Sequence, residues 1–263
     1  MTFEIKKENC RTETVIRVYL SSCDMATLYR DSLIRDDGRC KTPKRECGYK
    51  TIDTNRLVME VVADWILQND FHVDNIKNEI DYGKHKGSRP QMIAALKERK
   101  LDFSQQLEYI NTKKAQLAQE NRLAHILRLQ KTFDEFCVLD YQVPKSRGDH
   151  AKIDIVLQDK NDNLYIVELK TQNSKESLLR CVLGIATYAR QINQCAFKKE
   201  YGTAISKIIP AIMTDKDSWA YQQYQNKEDN PKVIALLKHF GIRFLLFNQG
   251  KDKFIITDVT RVT

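Results

Sequence analysis

The stretch Lys152–Thr171, KIDIVLQDKNDNLYIVELKT, leaves the chain few ways to fold. Two runs rich in Ile, Val, Leu and Tyr flank Asp159, Lys160, Asn161, Asp162 and Asn163. Asn and Asp favour turns because their short polar side chains bond the nearby backbone. The pattern predicts a hairpin: strand Lys152–Gln158, turn Asp159–Asn163, strand Leu164–Thr171. If Gln158 pairs with Leu164, Asp154 lies directly opposite Glu168, and alternation puts Lys170 on the face of Glu168. Directly opposed Cβ atoms are roughly 4.5–5.5 Å apart, and like charges there destabilise a sheet. Burial raises that cost. A divalent cation between the two carboxylates would remove it, and carboxylate oxygen is what Mg2+ prefers. Lys170 would then orient or deprotonate a water and offset charge building on phosphorus. Such a trio suits phosphodiester hydrolysis. The plain alternative is a pair of water-facing carboxylates on an edge strand, with Lys170 a surface partner worth little. The apolar neighbours Ile153, Ile155, Val156, Ile166, Val167 and Leu169 argue against an exposed edge.

The elements around the hairpin follow from periodicity and punctuation. A long helix is predicted over Lys113–Thr132, then an apolar segment Phe136–Val143 before the hairpin. Beyond it come a helix over Lys175–Gln194, a strand Lys207–Met213, a loop, a helix Pro231–Phe240, and strands Ile242–Phe247 and Lys253–Asp258. The α-β-β-β-α-β order predicts an α/β (α+β) fold, a mixed sheet flanked by helices. Upstream, Thr12–Ser21 reads as a strand, and Asp24–Arg35 and Asn55–Gln68 as helices. At Ser88-Arg89-Pro90 a helix start is predicted, with Ser88 the cap and Pro90 in the first turn. The texture changes near residues 100–112. The predicted division is therefore a smaller, mostly helical α+β region, 1–105, and a second part, 106–263.

At this point the residues resemble a known family. Asp154, then 13 residues, then Glu168-Leu169-Lys170 is similar to the D…ExK signature of the PD-(D/E)XK nuclease superfamily, the restriction-endonuclease-like fold. The resemblance covers roughly Gln119–Phe247. It implies that Asp154 and Glu168 bind Mg2+, with Mn2+ as a substitute, helped by the backbone carbonyl of Leu169. It also implies that Lys170 positions and activates the attacking water, leaving a 5′-phosphate. A glutamate from the helix before the sheet often joins the site. Here that residue is Glu120, which sits on the inward face of its helix with Leu123, Ala124 and Leu127. A solvated carboxylate paired with Arg122 or His125 is the other reading of Glu120. Some members carry a Gln four residues before a Tyr on the helix after the ExK strand; this chain has Tyr188, but Gly184 stands in the Gln position. The proline that often precedes the first acidic residue is replaced by Ile153. Tyr188 is read first as packing, and Gln172, just past Lys170 on the same face, as a site-lining candidate.

Composition narrows the function class. The chain has 263 residues, with 43 Lys+Arg against 35 Asp+Glu and a formal net charge of +8. Net positive charge favours acidic partners, nucleic acid first. Two basic stretches are candidates for phosphate contact: Arg39–Lys50, with Arg39, Lys41, Lys44 and Arg45, and Lys84–Arg89, with Lys84, Lys86 and Arg89. Ordinary solvated loops are the alternative. No apolar run approaches the roughly 20 residues of a membrane span. The opening MTFEIKKENC lacks a signal peptide's apolar stretch, and seven unpaired-looking cysteines suit a reducing compartment, so the expected location is cytoplasmic. Cys10, Cys23, Cys40 and Cys47 lack the close pairs of a structural zinc site. No GxxxxGK[ST] motif occurs. The expectation is a Mg2+-dependent nuclease acting on DNA, first a restriction or defence endonuclease, next a DNA-repair or structure-specific nuclease, with a homodimer a fair expectation. A non-catalytic nucleic-acid-binding protein on the same fold is the alternative from another class.

Overall fold

A computed structural model of the chain describes residues 2–7, 16–19, 49–51, 58–69, 104–105, 108–109, 112, 119–144, 152–172, 174, 176–202, 205–249 and 253–260. The elements are β1 (Thr2–Lys7), β2 (Ile16–Tyr19), β3 (Tyr49–Thr51), α1 (Val58–Gln68), α2 (Gln119–Gln130), β4 (Phe136–Pro144), β5 (Lys152–Asp159) and β6 (Leu164–Lys170). There follow α3 (Leu178–Gln191), α4 (Gln194–Tyr201), β7 (Ile208–Asp215), α5 (Trp219–Gln225), α6 (Pro231–His239), β8 (Arg243–Gln249) and β9 (Phe254–Asp258). Two compact units are built from interleaved segments. One takes Met1–Asp74, Gln172–Thr187 and Asp217–Ile242; the other takes Asn75–Thr171, Tyr188–Lys216 and Arg243–Thr263.

The second unit holds a six-stranded mixed sheet in the order β4-β5-β6-β7-β8-β9. Strands β4, β5 and β6 form an antiparallel meander, β7 and β8 continue in parallel, and β9 returns antiparallel. The hairpin has the predicted register: Gln158 faces Leu164, Leu157 faces Tyr165, Val156 faces Ile166 and Ile155 faces Val167. Asp159 organises its turn. One carboxylate oxygen accepts from the backbone N–H of Asn161 at 2.9 Å and of Asn163 at 3.0 Å, and the other accepts from the Tyr165 hydroxyl at 3.0 Å.

Parallel strands are usually covered on both faces and read as continuous apolar runs. β6 obeys that rule, being buried along its whole length. Helix α2 covers one face of the sheet: Leu123, Ala124 and Leu127 share a core with Tyr141, Ile155, Val167, Leu169, Met213 and Leu245. Since strand side chains alternate, Gln142, Asp154, Glu168 and Lys170 belong to the other face. At its end α2 also secures the last strand. The Gln130 amide accepts from the Phe254 N–H at 2.9 Å and donates to the Phe254 carbonyl at 3.0 Å.

In the first unit, β2-β1-β3 form a small antiparallel sheet. Helix α1 carries Glu60, whose carboxylate accepts from the backbone N–H groups of Lys232 at 2.8 Å and Val233 at 3.1 Å in the first turn of α6. First-turn N–H groups have no partner inside their own helix, so a borrowed carboxylate satisfies them and meets the positive end of the helix dipole. Gln223 does the same for α3, accepting from the Leu178 N–H at 2.7 Å.

The fold class is the predicted one, a mixed sheet with flanking helices, while several details differ. The helix predicted over Lys175–Gln194 is α3, Leu178–Gln191; α4 follows it at once as an additional helix, capped by Asn193, whose side chain accepts from the Ala196 N–H. The predicted loop after β7 contains α5, capped by Ser218 accepting from the Tyr221 N–H. In the N-terminal region the described elements include β1, β2, β3 and α1, with β1 pairing to both β2 and β3. The helices predicted at Asp24–Arg35 and from Ser88 lie outside the described residues. Among the described residues no helix is long and apolar enough to cross a membrane.

Candidate active site

All four residues expected to do chemistry belong to the second unit. Asp154 is the third residue of β5, and Glu168, Leu169 and Lys170 end β6. Extending the hairpin register by one step sets Asp154 opposite Glu168. The Lys170 ammonium sits 2.7 Å from Glu168 Oε1, and both side chains are nearly buried, at 10% and 6% exposure. Glu168 therefore has an internal counter-ion. For Asp154, one oxygen accepts from the Leu169 N–H at 2.8 Å and the other from the Gln142 side-chain amide at 3.1 Å.

Burial and the neighbouring Glu168 charge push the Asp154 carboxyl up to about 7, against the opposing pull of Lys170 and the Leu169 N–H. The residue as a whole is half-buried, and burial is the largest cause of the rise. A carboxyl so reluctant to ionise beside a second carboxylate is an arrangement that a cation would relieve. Mg2+ commonly uses one or two carboxylates and keeps several waters. The donor set of Asp154 and Glu168, with the carbonyl of Leu169 next to Glu168 in sequence, fits that demand.

Glu120 stands in the first turn of α2, half-buried, and its charge adds slightly to the rise at Asp154. Among the described residues no group of three or more His, Cys, Asp or Glu is placed to hold a metal ion, so the candidate donor carboxylates are the pair Asp154 and Glu168. The helix that carries Glu120 covers the other face of the sheet, which keeps it at the site's margin. Leu169 turns its fully buried side chain into the α2 core while its backbone serves the site. Tyr188 is buried in α3, as a packing residue would be, and Gln172 is exposed just after β6. Arg39, Lys41, Lys44, Arg45, Lys84, Lys86 and Arg89 lie outside the described residues, as do Cys10, Cys23, Cys40 and Cys47. Cys137, Cys181 and Cys195 are free thiols.

Two residues near these groups carried no sequence signal. Gln142 faces Asp154 from β4, since Tyr141 pairs with Ile155 and Val143 with Ile153. That register includes a shift between Val138 and Asp140, a one-residue irregularity that flips every later side chain to the other face. Thr214 pairs with Lys170 across the parallel β6–β7 ladder and is fully buried. Among the described residues its hydroxyl has no hydrogen-bond partner. Its position needed the crossover register, which local pattern does not contain.

No family model matches the sequence. No curated protein matches it at a significant level either. Among solved structures the chain is similar to Pyrococcus furiosus SfsA in complex with Ca2+, at 14% identity and a TM-score of 0.26, over 52% of this chain and 60% of that one. The functional reading accordingly stands on the residues of this chain.

Proposed function

We propose that the chain is a Mg2+-dependent nuclease that hydrolyses DNA phosphodiester bonds, first of all a restriction or defence endonuclease. The observation that carries this reading is the juxtaposition of Asp154, Glu168 and Lys170 on adjacent central strands, with Asp154 strongly resisting ionisation. Asp154 and Glu168, with the Leu169 carbonyl, would hold the ion, which when bound supplies positive charge to the phosphate and acidifies water. Lys170 would release part of its hold on Glu168 to orient the attacking water and to offset charge growing on phosphorus. Glu120, at the margin, would take a hydrogen bond from that water. The 5′-phosphate product and the DNA-repair or structure-specific alternative rest on the family resemblance. The net charge of +8 would supply sequence-independent affinity for the backbone. Residues 1–105 would add substrate contacts, dimer contacts or both.

One observation favours a second reading, a non-catalytic nucleic-acid-binding protein on the same fold. Lys170 already neutralises Glu168, so part of the like-charge conflict is settled without a metal. Cleavage of supercoiled, linear, single-stranded and branched DNA by wild type and Asp154→Asn, each with Mg2+, Mn2+ or EDTA, separates the two. Metal-dependent cutting by wild type alone supports the nuclease. DNA binding that is indifferent to both the metal and the substitution supports the binder.

A further inference from the structure

We infer that Gln142 is a positioning residue for Asp154, fixing the orientation in which its carboxylate is presented to a divalent cation; the inference rests on the metal-site reading above. Three observations converge. The β4–β5 register sets Gln142 opposite Asp154, and the β5–β6 register sets Asp154 opposite Glu168, so the three form one transverse row across adjacent strands. The Gln142 amide donates to Asp154 Oδ1 at 3.1 Å. Its backbone has φ +51°, a left-handed value inside an otherwise extended strand. A side chain other than glycine pays about 1–2 kcal/mol there, and such strain persists where the surroundings impose it, often beside functional groups.

The amide has a specific consequence. The Leu169 N–H occupies one oxygen of Asp154 and Gln142 occupies the other. Both bonds act on the same carboxylate from opposite neighbouring strands, which fixes its rotation about the Cβ–Cγ bond. Each oxygen keeps a lone pair for a cation. Groups that orient a ligand in this way typically contribute 10–100-fold to metal affinity. A hydrophobic isostere would leave the carboxylate free to turn.

Because φ is positive, glycine removes the amide and relieves the backbone together, whereas methionine removes the amide and keeps the bulk. Mn2+ affinity, measured by calorimetry on wild type, Gln142→Gly, Gln142→Met and Asp154→Asn, tests the inference without using activity. Both Gln142 variants should bind Mn2+ at least about tenfold more weakly, with Gln142→Gly holding or raising the thermal midpoint. Wild-type affinity in both variants, with binding lost in Asp154→Asn, would overturn the positioning role and leave the metal site standing. If wild type itself binds no Mn2+, the metal-site reading falls, and the contact is judged in the metal-free protein by NMR. The Gln142 side-chain amide resonances should then move on Asp154→Ala. Their indifference to that change would remove Gln142 from any role at Asp154.

Discussion

Asp154 and Asp159 lie five positions apart on one strand and answer to pH in opposite directions. Burial and Glu168 push the Asp154 carboxyl up to about 7 from the usual 3.8. The folded state therefore holds that proton more tightly than the unfolded chain. Its contribution to stability is fully present below 3.8 and is lost as pH rises through about 7. In EDTA, wild type and Asp154→Asn should have similar thermal midpoints near pH 4 and diverge as pH rises, the variant becoming more stable by a few degrees at pH 8. Scanning fluorimetry across pH reads this directly, and parallel curves would refute it. For Asp159 burial also raises the carboxyl, but hydrogen bonds from Asn163, Asn161 and Tyr165 outweigh it and the net shift is downward. That contribution is present above 3.8 and lost as pH falls. Asp159→Asn should flatten the acid limb of the stability curve below pH 4. Thr214→Val, which removes a buried hydroxyl without a partner among the described residues, should be neutral or stabilising by about 1 kcal/mol in denaturant unfolding. Asp154, Glu168 and Lys170 were legible in the sequence because their placement depends only on a local hairpin. Gln142 and Thr214 were not, since a bulge and a parallel crossover decide which side chains meet them.

Among the elements, two helix starts in the first unit, those of α3 and α6, are satisfied from elsewhere in the chain. Glu60 on α1 supplies acceptors to α6 across 172 residues of sequence, and Asp64 adds an ion pair to Lys232 at 2.8 Å. Glu60→Ala leaves two first-turn N–H groups without that partner and should cost about 1–3 kcal/mol, read by denaturant unfolding. Lys232→Ala, whose partner Asp64 is partly exposed, should cost under about 1 kcal/mol. Such borrowed caps leave no local signature in the sequence, whereas Pro231, Asn193 and Ser218 are residue types that mark helix starts. The strand order β4-β5-β6 was visible as successive apolar runs; β1 and β3, with weaker local signals, were not.

At the scale of the whole molecule, the chain threads back and forth between its two units, so that Gln172–Thr187 and Asp217–Ile242 belong with the N-terminal segment. Segments shared in this way make joint unfolding of the two units the expected outcome. The proposed nuclease would show this as cooperative behaviour: a single unfolding transition by both far-UV circular dichroism and tryptophan fluorescence. Two separated transitions would show the units to be energetically independent.

The β4–β5–β6 meander draws its strands from one short stretch, Phe136–Lys170, whereas β7 and β8 must wait for crossovers to return. Contacts close in sequence form sooner than distant ones. If the meander pairs first, Asp154 and Glu168 meet while water still screens them, and the cost of removing that water is expected late, on the native side of the barrier. Lys170→Met, which strips away the internal counter-ion, should accordingly accelerate unfolding far more than it slows refolding.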